Sequence, residues 1–199
     1  MKGQRVMTIP YVIEQTGNGE RSYDIYSRLL KDRIIMINGE IEPNMAGIIV
    51  SELLYLQSES ATDPINLYIS SPGGWVTAGY SIISTMRLIK PPVYVTAHGS
   101  IASMASVIFS CGEKGHRYIL PNTRVMLHQV SSGTDGNVQD MRLALQESER
   151  LNVLLLKTLA DNCGKTQKEM EKITSRDYWM DEHEAIKFGI ADKILEKEV

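Results

Sequence analysis

The chain has 199 residues, of which 43% are apolar and 23% charged, and its 21 basic and 24 acidic side chains leave a net charge of -3. These values suit one globular domain that can bury a core without covalent staples. They exclude a collagenous or low-complexity chain and argue against a nucleic-acid binder, which would be strongly basic. The two cysteines, Cys111 and Cys163, lie in no CxxC pair and the histidines are scattered. Neither a disulfide framework nor a zinc site is expected, and a reduced, cytoplasmic setting fits best. Met1-Lys2-Gly3-Gln4-Arg5 leads into no apolar signal core, and no apolar run approaches the roughly 20 residues that span a bilayer.

Residues 1–24 read as irregular and polar, with Gly17-Asn18-Gly19 as a turn signal. Asp24 to Leu30 is expected as a short helix and Arg33 to Asn38 as a buried strand. Glu42-Pro43-Asn44 opens a helix with apolar residues at 45, 48, 49, 53, 54 and 56. Ile65 to Ile69 is the second strand, and Ser71-Pro72-Gly73-Gly74 a sharp turn into a helix ending near Leu88. After Pro91-Pro92 comes a third strand, Val93 to Ala97, then a loop and small-residue helix from Gly99 to Cys111. Arg117 to Leu120 and Val125 to His128 are further strands. This order predicts an α/β fold with a mostly parallel sheet and right-handed crossovers. One long helix follows, from about Gly136 to Asn162 and stopped by Gly164. It is polar nearly all round at Gln146–Arg150 and apolar nearly all round at Val153–Leu156, so it either leaves the body of the domain or crosses the core with one solvated turn. Short helices at Gln167–Ile173 and Asp181–Phe188 and a strand at Ile190–Ile194 close the chain.

Three local patterns can carry chemistry. In Gly99-Ser100-Ile101-Ala102-Ser103-Met104-Ala105 a serine follows a strand and opens a helix among small residues. That is the logic of a nucleophile elbow without its GxSxG spelling, and the helix start offers N–H groups to an oxyanion. The plain alternative is a helix-start serine beside a closely packed helix. His128 ends a β-branched strand, a rigid mount for a general base; alone it serves equally as a satisfied rim histidine. Ser70-Ser71-Pro72-Gly73-Gly74 can present backbone N–H groups to an oxyanion or a peptide, or be a simple turn. It matches no nucleotide-binding fingerprint. Asp177 in Ser175-Arg176-Asp177-Tyr178 is a candidate orienting acid, or one surface carboxylate among many.

With these residues in view, the chain resembles the ClpP family, the serine peptidase subunits of a self-compartmentalised protease, from about Ile9 to Leu195. The resemblance is carried by Glu14-Gln15-Thr16, by the run Gly19-Glu20-Arg21-Ser22-Tyr23-Asp24-Ile25-Tyr26-Ser27-Arg28-Leu29-Leu30-Lys31, and by Ser71-Pro72-Gly73-Gly74, Ala102-Ser103-Met104, Leu120-Pro121-Asn122, His128-Gln129, Arg176-Asp177 and Glu184-Ala185. It implies a spiral of βαβ units, of the fold shared with crotonases, forming a head domain with a projecting handle at 133–162. Residues 1–22 would be an axial segment. Ser103 would be nucleophile, His128 general base and Asp177 orienting acid. Gly74 and Met104 would give the oxyanion hole, and Val76 and Ser131 would bind substrate. It implies no cofactor and no metal, two stacked heptameric rings, unfolded protein substrates and a separate AAA+ ATPase unfoldase; a second ClpP paralogue in a mixed ring is a further partner to test.

The chain departs from the family pattern at Val130 in place of proline, at Ser131-Ser132, at Trp75 in place of an aliphatic residue, at Ser175 in place of an acid, and at Asn66 in a position often aromatic. Two rival functions remain: a crotonase-type acyl-CoA enzyme, and a paralogue acting mainly as the ring partner of an active subunit.

Overall fold

The computed structural model describes residues 9–17 and 19–196. Residues 1–8, which hold the expected N-terminal start and much of the axial segment, lie outside the described residues, as do Asn18 and 197–199. The part expected to be irregular contains a hairpin instead. β1 (Tyr11–Thr16) pairs antiparallel with β2 (Gly19–Asp24), in register from Tyr11 opposite Asp24 to Thr16 opposite Gly19. No side chain described in either strand is buried, so no period-two apolar pattern marks the hairpin; its order comes from backbone pairing and from ion pairs of Glu14 with Arg28 and Lys31. Those cations lie on α1 (Ile25–Lys31), which is capped by the Asp24 carboxylate accepting the Ser27 N–H at 2.9 Å.

The central sheet is built as the alternating order requires. β3 (Ile34–Asn38), α2 (Pro43–Glu59), β4 (Ile65–Ser71), α3 (Val76–Leu88), β5 (Val93–Ala102) and α4 (Met104–Ser110) follow in turn, and β3-β4-β5 pair in parallel. β6 (Arg117–Ile119) adds on the far side of β5 and β9 (Lys193–Ile194) on β6, both parallel. One face of the strands, Ile35, Ile37, Leu67, Ile69, Val95, Ala97 and Ile119, is fully buried. Against it pack Ile49, Leu53 and Leu56 of α2, Ile82 and Ile83 of α3, and α4, every residue of which is buried. Of the apolar positions expected on α2, Ile48 and Leu54 point to solvent instead.

Two differences from expectation bear on the site. The third strand does not stop at Ala97 but runs to Ala102, bending at Gly99, whose φ of 64° suits glycine. Before the bend it pairs with β6, from Val95 to Ala97; after it, with β7 (Arg124–Leu127), from Ser100 to Ala102. A strand not anticipated, β8 (Tyr178–Met180), then pairs antiparallel with β7. The long helix is α5 (Val138–Cys163), opened by the Asn137 side chain and ended by Gly164 at φ 66°. Its second half is buried at Leu155, Leu156 and Leu159, whereas Val138, Leu143, Leu145 and Val153 are exposed. α6 (Gln167–Thr174) and α7 (Glu182–Phe188) each begin with a capping box.

Candidate active site

Ser103 stands between the last residue of β5 and the first of α4, at φ 55° and ψ -126°. A non-glycine residue in this region carries roughly 1–3 kcal/mol of strain. The surroundings hold it there. Its N–H donates to the Met126 carbonyl at 3.0 Å, and its carbonyl accepts from the N–H groups of Ser106 and Val107 at 3.0 and 3.3 Å. The buried Ser106 hydroxyl donates to the same Met126 carbonyl at 2.9 Å. The Ser103 hydroxyl does not cap the helix it begins. It lies 2.7 Å from His128 Nε2.

His128 follows β7 directly, on the strand whose Met126 carbonyl anchors Ser103, so nucleophile and base share one backbone connection. The antiparallel register of β7 and β8 sets Leu127 opposite Tyr178, which places Asp177 opposite His128. Asp177 Oδ1 stands 4.0 Å from His128 Nδ1, with its side chain 64% exposed against 24% for the histidine. That separation is an ion-pair contact, longer than a hydrogen bond. Ser103 and His128 are therefore joined, and Asp177 is near but not yet bonded.

Gly73 and Gly74 lie beside this pair. A Cβ on Gly73 would fall 2.6 Å from Ser103 Cβ and 3.0 Å from Met104 N, so only glycine allows the turn to approach so closely. Gly74, at φ 152°, leaves no room for a Cβ against the Ile41 backbone. The loop is fixed on its other side by bonds from Ile41 N–H to the Gly73 carbonyl and from Trp75 N–H to the Ile41 carbonyl, both 2.8 Å. Met104 occupies the first position of α4, where its N–H has no acceptor within the helix. Val76, half-buried, opens α3. Ser131 is exposed and lines a cavity of about 600 Å³ together with His128, Gln129, Val130, Thr174 and Asp177.

Two supports of that cavity are not singled out by any motif. Gln129 N–H donates to the Thr174 carbonyl at 3.0 Å, and Val130 N–H donates to Asn152 Oδ1 of α5 at 3.0 Å. The one sequence signal for Asn152 is an amide set inside the apolar run of α5. The cysteines play no part. Both are free, and burial pushes the Cys163 thiol up to about 11 and raises that of Cys111. Among the described residues no group of three or more His, Cys, Asp or Glu could hold a metal, and no helix is long and apolar enough to cross a membrane.

Comparison with known proteins places this chain in a family. The Clp protease family model matches residues 17–198. The ATP-dependent Clp protease proteolytic subunit of Streptococcus mutans serotype c is 50% identical over 190 residues, covering 94% of this chain and 97% of the relative. The protein of the same name from Streptococcus suis is 49% identical over 190 residues, with the same coverage. With nearly its whole length matched, the chain belongs to the Clp protease family.

Proposed function

We propose that the chain is the proteolytic subunit of an ATP-dependent protease and cuts unfolded polypeptides as a serine-type endopeptidase. The observation that carries this reading is the 2.7 Å contact of Ser103 Oγ with His128 Nε2, with the serine held on a strained strand-to-helix turn. His128 takes the hydroxyl proton as Oγ attacks the scissile carbonyl, then gives it to the departing amine. The oxyanion is stabilised by the N–H groups of Gly74 and Met104, each such donor worth on the order of 100-fold or more in rate. Water, activated by the same histidine, releases the acyl group. Asp177 orients the imidazole and stabilises its charged form once the 4.0 Å gap has closed to a hydrogen bond. Val76 and Ser131 flank the bound peptide.

The same reading makes 1–199 one ClpP-like domain in which the 133–162 segment is a handle, with 1–22 at the axial pore. Two heptameric rings stack through the handles, a cytoplasmic AAA+ unfoldase of the Clp family feeds the chamber, and no cofactor enters the reaction. The exposed apolar side chains of α5 support it, since they call for cover by other subunits. A fluorophosphonate probe tests the chemistry: it labels Ser103, and Ser103→Ala loses both labelling and fluorogenic-peptide cleavage, by at least ~10⁴-fold. Acyl-CoA turnover without labelling would instead support the crotonase-type rival.

A further inference from the structure

Trp75 is the residue next to the proposed oxyanion loop, and it is 60% exposed. Its indole is large and rigid, and in water it is free to pack on a second ring or apolar group. Its position is not loose. The residue caps α3 in an extended conformation, its N–H donates to Ile41 at 2.8 Å, and its carbonyl accepts from Gly79 at 3.0 Å. Two peptide units separate it from Gly73, so the two Cα atoms are at most about 7.6 Å apart, and a Cβ on Gly73 would touch Ser103 Cβ. The indole N–H has no hydrogen-bond partner among the described residues. The Trp75 backbone is therefore held two residues from the glycine that packs against the reacting serine, with its side chain largely in solvent.

We propose that Trp75 is a specificity-determining residue: its exposed indole stacks on an aromatic or large apolar side chain of the substrate, one or two residues from the scissile bond. This rests on the peptidase reading of Ser103. A second copy of the chain could cover the indole instead, but the loop carrying it is the one facing the nucleophile, so the substrate is the occupant the placement favours. Trp75 touches no reacting atom. It selects peptides by what it covers, because an aromatic pair forms only when the peptide supplies the second ring.

The test compares a set of fluorogenic peptides in which phenylalanine replaces alanine at each position around the scissile bond, with wild type, Trp75→Ser and Trp75→Phe. In wild type, phenylalanine at one position is expected to raise kcat/KM about threefold to tenfold over alanine. Trp75→Ser abolishes that ratio, and Trp75→Phe keeps part of it. An unchanged ratio in Trp75→Ser, with fluorophosphonate labelling of Ser103 intact, overturns the proposal and leaves the peptidase reading standing. Loss of particle mass in Trp75→Ser by native mass spectrometry, again with the ratio unchanged, assigns the indole to a subunit contact and also overturns it. A wild type that neither labels nor cleaves any peptide removes the peptidase reading itself.

Discussion

At the scale of single residues, the site couples two groups firmly and a third loosely. The Met126 carbonyl receives the N–H of Ser103 and the hydroxyl of Ser106, so the nucleophile and the strand bearing His128 move as one body. Asp177 has no such tie; it lies in the exposed turn between α6 and β8. Replacing it with asparagine should lower kcat by about 10³–10⁴, because the imidazole loses its orienting charge. Stability should change by less than about 0.5 kcal/mol, since the side chain is mostly in solvent. Single-turnover kinetics and urea unfolding of Asp177→Asn check the two halves of that expectation. Local pattern singled out Ser103 after a strand and His128 at a strand end but left their roles open, and the family resemblance supplied them. The 4.0 Å gap was not legible in the sequence, because it depends on the register of β8, a strand of three residues too short to show any period. Asn152 was equally invisible: its role depends on which face α5 turns toward Val130.

Among elements, a buried ion pair ties β6 to the start of β9 and to the end of α5. Arg117, whose side chain is 5% exposed, donates from Nε to Asp192 Oδ2 at 2.8 Å and from its guanidinium to the Asn162 carbonyl at 3.1 Å. The same carboxylate accepts the backbone N–H groups of Gly115 and Arg117 at 2.8 and 3.0 Å. Burial works to raise the Asp192 pKa, but the hydrogen bonds and charge of Arg117 outweigh it and hold the carboxyl below its ordinary range. A depressed folded pKa contributes stability that is present above the unfolded value, about 3.9, and is lost as pH falls through the folded value. Asp192→Asn should cost about 3 kcal/mol at neutral pH, because it leaves Arg117 buried without its charge partner. The gap between variant and wild type should narrow below pH ~4, as urea unfolding across pH would show. Sequence patterning located most of these elements, since α2, β4, α3 and α6 carry apolar spacing or caps near their ends. It missed the β1–β2 hairpin, where no described side chain is buried, and it ended β5 at Ala97, where Gly99 reads as a stop and acts as a bend.

For the whole molecule, the exposed apolar residues of α5 matter most. Val138, Leu143 and Leu145 lie on the half of the helix that has no buried residue. If that half joins two rings, Leu143→Arg with Leu145→Arg should halve the native mass from fourteen subunits to seven, and peptide cleavage should fall with it. Native mass spectrometry beside the peptide assay reads both, and a full-mass particle from the double variant would count against ring stacking through this helix. The bend at Gly99 has a different consequence. Because β5 pairs with β6 before it and with β7 after it, the sheet forks, and the limb of β6 and β9 is joined to the limb of β7 and β8 by β5 and by α7, which packs on both. The buried Arg117–Asp192 pair lies on the first limb, and His128 and Asp177 lie on the second. A substitution on one limb therefore reaches the other through β5 and α7, the two elements that both limbs share.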